Sequence, residues 1–162
     1  MSYDYAQAKK MADEIVSVLK PFCVQCEIAG SIRRLKQHDI KDVEIVLVPA
    51  NAHIFALREK INHQWGAPSI GVFPSKYTKI RGAFDIDIFT CSPETFGLNY
   101  FIRTGSDEFA KRALAHWKKI TGGGYSEGAR LHLKDGTPIA TPTEQDVFDA
   151  LKCPFVPPEK RK

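Results

Sequence analysis

The feature that most constrains this chain is an acidic pair at the start of a short apolar run. Asp42 and Glu44 open the sequence DVEIVLVP, in which β-branched residues follow the acids and Pro49 ends the run. Such a run is typical of a buried β-strand. Because side chains alternate between the faces of a strand, both acids lie on one face, about 6.6 Å apart along the backbone.

Two carboxylates on one face of a core strand repel each other. At an effective dielectric constant of about 20, two negative charges about 4 Å apart repel by about 4 kcal/mol. A divalent cation would remove this repulsion, and hard oxygen ligands suit magnesium or manganese. The pair therefore predicts a metal site.

A second acidic strand is predicted over residues 83–91, AFDIDIFTC, where apolar residues alternate with Asp85 and Asp87. If this strand pairs beside the first one, its acids join Asp42 and Glu44. Three of these four carboxylates, drawn from two adjacent strands, would form a two-metal site of the kind used in phosphoryl and nucleotidyl transfer.

A Gly30-Ser31 turn and Arg34 lie just before the acidic pair. They offer backbone N–H groups, a hydroxyl and a guanidinium to a triphosphate. A simple turn that caps a short helix is the alternative, since Gly-Ser pairs are common. The neighbouring arginines and acids favour phosphate binding.

Composition sets broad limits. The 162 residues suffice for one domain or two small lobes, and a hydrophobic content of 43% permits a core. The net charge of +4 allows a nucleic-acid partner without establishing one. No apolar run approaches the roughly 20 residues of a membrane span, and no signal peptide opens the chain. We therefore expect a protein that is not secreted and that acts in the cytoplasm, or in the compartment where a virus or its host handles nucleic acid.

Cysteine usage gives no disulfide framework. Cys23-x-x-Cys26 resembles half of a zinc site, but no second pair with suitable spacing follows. We expect both cysteines to be small apolar residues on a strand, in a reducing environment.

The remaining pattern predicts an α+β fold. Helices are expected at 4–20, 51–65, 95–103, 107–119 and 144–151, and further strands at 22–29, 76–82, 125–134 and 137–141. Asp135-Gly136 indicates a hairpin, Thr143 and Asp146 a capping box, and the tail CPFVPPEKRK an extended segment. Lys79 and its basic neighbours on 76–82 suggest a face for a phosphate backbone, although an ordinary exposed edge explains them equally well.

In sequence order, four motifs resemble those of the family X DNA polymerases, the polymerase beta-like branch of the nucleotidyltransferase superfamily. They are GSIRR at 30–34, DVE at 42–44, FDID at 84–87 and TGSD at 104–107, followed by the closing segment TPTEQDVFDALKCPFVPPEKR. The resemblance implies a nucleotidyltransferase fold, with a mixed-sheet palm at 1–92 and a small, mostly helical nucleotide-binding subdomain with a hairpin at 93–162.

The resemblance also implies roles for the acids. Asp42 and Glu44 would bind two Mg²⁺ ions, with Mn²⁺ as a substitute. Asp87 would bind only the ion that activates the primer 3′-hydroxyl, and it would accept the proton of that hydroxyl. Asp85 stands where the family commonly has a basic residue and so rivals Asp87, which we favour for its spacing to Thr104.

Other residues would contact the nucleotide or the DNA. The resemblance assigns the triphosphate to Gly30, Ser31 and Arg34, the sugar and base to Thr104, Gly105, Ser106 and Asp107, and the DNA to Lys111 and Arg112. It also implies a cis peptide bond after Gly105, a non-proline feature that costs about 3–4 kcal/mol.

Four departures from the family pattern stand out. Glu44 replaces the usual aspartate, Lys41 stands where a glycine often precedes the first acid, and the loop before Asp42 is longer by one residue. Ile102-Arg103 replaces the aromatic pair that helps the family to exclude ribonucleotides.

The leading hypothesis is a monomeric, template-directed DNA polymerase that uses dNTPs on gapped or primed DNA for short-gap repair. With so few residues before Gly30, we expect a reduced form that lacks the lyase and helix-hairpin-helix regions. One alternative is a template-independent nucleotidyltransferase acting on an RNA end, a protein or a small molecule. Another is a non-enzymatic nucleic-acid or nucleotide-binding module.

Overall fold

The computed structural model describes all 162 residues and divides into two units, Met1–Ser92 and Pro93–Lys162. The first unit contains three helices and four strands. They are α1 (Tyr5–Leu19), β1 (Cys23–Ile28), α2 (Gly30–Arg33), β2 (Asp42–Pro49), α3 (Ile54–Trp65), β3 (Tyr77–Ile80) and β4 (Asp85–Thr90).

The four strands form one mixed sheet in the order β1-β2-β4-β3. β2 and β4 pair in parallel at the centre, while the edge strands β1 and β3 are antiparallel to their neighbours. The predicted pairing of the two acidic strands is therefore confirmed, and the sheet brings their acids into register.

One face of this sheet forms the core of the first unit. Helix α1 begins with a capping box between Asp4 and Gln7. It buries Ala8, Ala12, Ile15 and Leu19, whose three- and four-residue spacing gives the helix one apolar side. Opposed to them are apolar side chains that alternate with the acids, including Val43, Ile45, Leu47, Ile86 and Ile88. Burial of each such Ile or Leu contributes about 1.5–3 kcal/mol.

The second unit is mostly helical. It consists of α4 (Phe96–Thr104), α5 (Asp107–Ile120), β5 (Tyr125–Glu127), β6 (Arg130–His132), β7 (Pro138–Ile139) and α6 (Glu144–Ala150). The strands form a small antiparallel sheet in the order β5-β6-β7. Its separate core is built from Leu98, Phe101, Trp117, Leu131, Val147, Phe148 and Leu151. The mixed sheet and the six helices confirm the predicted α+β class.

The single strand predicted over 125–134 is wrong. Gly128 and Ala129 both adopt left-handed backbone conformations, with φ of +60° and +53°, and form a tight turn between β5 and β6. Two positive φ values suit a two-residue hairpin, but Gly-Ala lacks the usual Asn-Gly or Asp-Gly signal. The hairpin predicted around Asp135-Gly136 is confirmed, because β6 and β7 pair across it.

The prediction of an extended tail is wrong for its last residues, although 153–157 contain no helix or turn. Residues Pro158–Lys160 form a 3-10 turn, and Arg161 is buried rather than exposed. The capping box of Thr143 and Asp146 at the start of α6 is confirmed. Cys23 and Cys26 are free thiols, and both lie on a strand, β1, as expected.

None of the six helices is both long enough and apolar enough to cross a membrane.

Candidate functional site

The central strands of the first unit place four carboxylates on one sheet face. Asp42 lies opposite Asp85, and Glu44 lies opposite Asp87, in the parallel register of β2 and β4. Since positions two apart on a strand share a face, all four side chains project from the side opposite the core. We call these four residues the acid face.

The edge strand β3 adds a cation to the acid face. Lys79 is the register partner of Asp87. Its Nζ lies 3.3 Å from Asp87 Oδ1 and 3.5 Å from Asp85 Oδ2. The Tyr77 hydroxyl also donates a hydrogen bond to Asp87 Oδ1, at 3.1 Å. Lys79 is thus not an ordinary exposed edge residue, and its ammonium is already paired with acids rather than available to a phosphate. Its role could be recognised from the sequence only with knowledge of the register of β3 on β4.

Burial and charge at the acid face shift the pKa values of Asp42 and of the neighbouring Lys79. Burial raises the pKa of the Asp42 carboxyl, and the neighbouring Asp87 and Asp85 carboxylates raise it further, while Lys79 partly opposes them. Burial by itself would lower the pKa of Lys79, but the nearby acids, with Asp87 foremost, outweigh it and raise that pKa. Both burial and the neighbouring acids therefore disfavour the ionised form of Asp42.

The turn before α2 meets the acid face through Glu44. The Ala29 N–H donates to the Glu44 carbonyl oxygen at 2.8 Å, which places the turn beside β2. Gly30 follows with φ of +63°, and a Cβ at this position would stand 1.6 Å from Glu44 Oε2. The Glu44 carboxylate therefore occupies the space that any larger residue at position 30 would need. Ser31 and Arg34 follow in and after α2, both half-buried.

The donor set suits a divalent cation, but its side chains are not gathered around one point. No group of three or more His, Cys, Asp or Glu side chains is arranged as a metal cluster in the chain. Asp85 and Asp87 share the Lys79 ammonium, and Glu44 lies against Gly30. The carboxylate oxygens are of the type that Mg²⁺ and Mn²⁺ prefer. Burial, together with the Asp87 and Asp85 carboxylates, raises the pKa of Asp42, so a cation bound there would favour its ionised form. The four carboxylates thus fit a divalent cation in charge, donor type and strand position. Binding of the cation would require their side chains to rearrange.

In the second unit, the predicted nucleotide contacts lie where α4 ends and α5 begins. Thr104 is buried at the end of α4. The peptide bond between Gly105 and Ser106 is cis, as expected. Ser106 is the N-cap of α5, because its hydroxyl accepts from the Phe109 N–H at 3.3 Å. Asp107 begins the helix.

The two predicted DNA contacts, Lys111 and Arg112, are exposed on α5. Arg112 donates a hydrogen bond to the carbonyl oxygen of Lys162. Its guanidinium is thus partly engaged within the second unit.

The comparisons with known proteins bear on the second unit. Residues 99–162 match the family model of the DNA polymerase beta thumb. The match supports a relationship to family X polymerases, a polymerase-related function and DNA binding. A comparison with curated proteins finds no match.

Proposed function

We propose that this chain is a nucleotidyltransferase of the family X DNA polymerase type, which transfers a deoxynucleotide from a dNTP to a primer 3′-hydroxyl during short-gap repair. The observation that carries the proposal is the register that sets Asp42 and Glu44 beside Asp85 and Asp87 on one face. The match of residues 99–162 to the polymerase beta thumb supports the same class of function.

Three carboxylates would hold the metal ions in this proposal. Asp42 and Glu44 would hold both Mg²⁺ ions, and Asp87 would hold one of them. When bound, the ions supply positive charge that stabilises the attacking and leaving oxygens of an in-line displacement. Asp87 accepts the proton of the primer hydroxyl as this oxygen attacks the α-phosphate.

The first residues of α2 bind the triphosphate. The Gly30-Ser31 segment offers backbone N–H groups and a hydroxyl, and the Arg34 guanidinium pairs with phosphate oxygens. These donors stabilise the charge that develops on pyrophosphate as it leaves. Thr104, Gly105, Ser106 and Asp107 remain the predicted contacts of the sugar and base.

The proposal is tested by primer extension on a gapped duplex with Mg²⁺ and all four dNTPs. Asp42→Ala and Asp87→Ala should each reduce the rate by at least about 10²-fold, the scale of removing one group that stabilises transition-state charge. Asp13→Ala is the matched control, because this acid lies on the exposed side of α1 in an i,i+4 pair with Lys9. Unchanged extension by Asp42→Ala would overturn the proposal.

A template-independent nucleotidyltransferase is the second candidate. It is favoured by Ile102 and Arg103, which precede Thr104 where the family has aromatic residues that help to exclude ribonucleotides. The same assay without a template strand, with dNTPs and rNTPs in parallel, separates the two functions. Extension that ignores the template or prefers rNTPs would establish the second candidate, while nucleotide or DNA binding without any extension would indicate a non-enzymatic module.

A further inference from the structure

Lys79 holds a position that the proposed reaction does not explain. It lies on the edge strand β3, yet its side chain is only 17% exposed because the ammonium turns inward onto the acid face. Its contacts to Asp87 and Asp85 differ by little, at 3.3 and 3.5 Å. The ammonium is therefore shared between a proposed metal ligand and an acid to which the proposed mechanism gives no role.

The two acids that share Lys79 differ in their surroundings. The Asp87 side chain is 12% exposed, whereas that of Asp85 is 35% exposed. Asp87 also accepts from the Tyr77 hydroxyl, so it keeps one donor if the ammonium leaves. Movement of the ammonium toward Asp85 would take it to a better hydrated partner that it already contacts.

A divalent cation at Asp87 would compete with Lys79. Both are cations that seek the same carboxylate, and two positive charges a few ångströms apart repel each other. An ammonium with no second partner would have to be expelled into water for a metal to bind. Asp85 removes that requirement, because it offers a carboxylate within reach of the same flexible side chain.

We propose that Lys79 is a built-in counter-cation that occupies Asp87 in the metal-free protein and is held by Asp85 when a divalent cation takes its place. Lys79 is thus a positioning residue that sets metal affinity. Asp85 is the ion-pair partner of the displaced Lys79 ammonium rather than a metal ligand. This inference rests on the proposed function, since it requires that Asp87 bind a metal.

The inference makes a specific claim about coupling between the two residues. Loss of Lys79 removes the competitor and should tighten metal binding. Loss of the Asp85 charge removes the ion-pair partner of the displaced ammonium and should weaken metal binding when Lys79 is present. In the absence of Lys79, no ammonium needs a partner, so the same change at Asp85 should have a much smaller effect on metal affinity. Independent charge effects on the metal would instead be additive.

The test is a Mn²⁺ titration of the full chain followed by the electron paramagnetic resonance signal of free Mn²⁺. Four proteins form a double-mutant cycle: the wild type, Lys79→Met, Asp85→Asn and the double variant. We expect Lys79→Met to bind Mn²⁺ about tenfold more tightly, and the weakening caused by Asp85→Asn to be about tenfold smaller in the Lys79→Met background, within the usual range for coupled contacting residues.

Controls keep the outcomes separate. Lys79→Arg preserves the charge and should restore affinity close to that of the wild type. Lys76→Met removes an exposed ammonium three positions earlier and should leave Mn²⁺ binding unchanged. Circular dichroism confirms that each variant is folded, and Lys79→Arg still tests the role of the charge if Lys79→Met does not fold.

Two failures are distinguishable. If the wild type binds Mn²⁺ and Asp42→Asn abolishes that binding, but the effects of Lys79→Met and Asp85→Asn are additive or Lys79→Met does not tighten binding, the inference is overturned and the proposed function stands. If the wild type binds no Mn²⁺, the proposed metal site fails and the inference fails with it.

Discussion

Arg161 and Glu144 form a bidentate ion pair inside the second unit. Arg161 Nη1 lies 2.8 Å from Glu144 Oε2, and Nη2 lies 2.8 Å from Oε1. The two side chains are 0% and 7% exposed. Phenyl rings surround the guanidinium at 5.2–5.7 Å from their centroids, namely those of Phe101, Phe109, Phe148 and Phe155. The pair therefore ties the C-terminal residues to the start of α6.

Replacing one partner of the Arg161–Glu144 ion pair should destabilise the second unit. Arg161→Met should reduce the free energy of unfolding by about 3–5 kcal/mol, because Glu144 loses its bidentate partner within an apolar environment. Arg161→Met combined with Glu144→Met should cost less than the single change. Urea unfolding followed by fluorescence of the buried Trp117 measures the effect.

Lys9→Met is the control for the ion pair. It removes an i,i+4 pair with Asp13 in which the side chains are 40% and 55% exposed. Exposed pairs contribute little, so the change should stay within about 0.5 kcal/mol. A similar small loss for Arg161→Met would show that the buried pair is not a structural tie.

Asp42→Asn should stabilise the metal-free protein at neutral pH while it abolishes activity. Burial, Asp87 and Asp85 raise the pKa of Asp42 above its ordinary value of 3.8, so the folded state binds this proton more tightly than the unfolded state does. Stability is therefore lost as the pH rises from 3.8 through the folded-state pKa, and it stays lost at neutral pH. Asparagine carries no charge and avoids this loss.

Thermal unfolding at a series of pH values checks this prediction. Without metal, the Tm of Asp42→Asn should exceed that of the wild type at pH 7, and the difference should shrink as the pH falls to about 4 and below. Asp13→Asn, at an exposed site, should show no such difference. A lower Tm for Asp42→Asn across the whole range would contradict the claim that burial and the neighbouring acids destabilise the ionised Asp42.

Gly30→Ala should impair both stability and activity. Its φ of +63° is unfavourable for alanine, and the added Cβ would collide with Glu44 Oε2. The positive φ alone costs about 1–2 kcal/mol, and displacement of the Glu44 carboxylate should disturb the acid face. Urea unfolding and primer extension measure the two effects.

Gly122→Ala is the matched control for Gly30→Ala. Gly122 has a φ of +66°, but a Cβ there would have no atom within 4 Å. It should show the backbone cost without loss of primer extension. If both variants extend the primer equally well, the contact of Gly30 with Glu44 has no functional role.

Arg34→Met should weaken triphosphate binding more than primer binding. A charge-assisted hydrogen bond contributes about 1.5–3 kcal/mol, so the KM for dNTP should rise about tenfold or more while the Kd for the gapped duplex changes little. Arg33→Met removes the same charge one residue earlier and serves as the control. An equal loss of dNTP and DNA affinity would argue against a triphosphate role for Arg34.

The two central strands of the first unit were predictable from local pattern: β2 is a short β-branched run ended by Pro49, and β4 has an explicit period of two. Asp85 and Asp87 alternate with apolar residues, and the sheet places them on the face opposite the core, as predicted. The contact of Lys79 with these acids was not predictable, because it depends on the register of β3 against β4, which no local pattern determines. Likewise, the contact of Glu44 with Gly30 depends on tertiary structure.

Local signals also failed where a favourable long-range contact outweighed them. The basic, proline-rich tail has the composition of an exposed segment, yet Arg161 is buried because Glu144 and four aromatic rings surround it. The Gly128-Ala129 turn was missed because alanine rarely adopts a positive φ.

The most direct test of the central claim is a crystal of the chain with Mn²⁺ and a non-hydrolysable dNTP, measured at a wavelength where manganese scatters anomalously. The account predicts two anomalous peaks about 3.5–4 Å apart. Both peaks should be bound by Asp42 and Glu44, and one of them also by Asp87, with the Lys79 ammonium on Asp85. Nucleotide bound with no anomalous peak at these carboxylates would contradict the account.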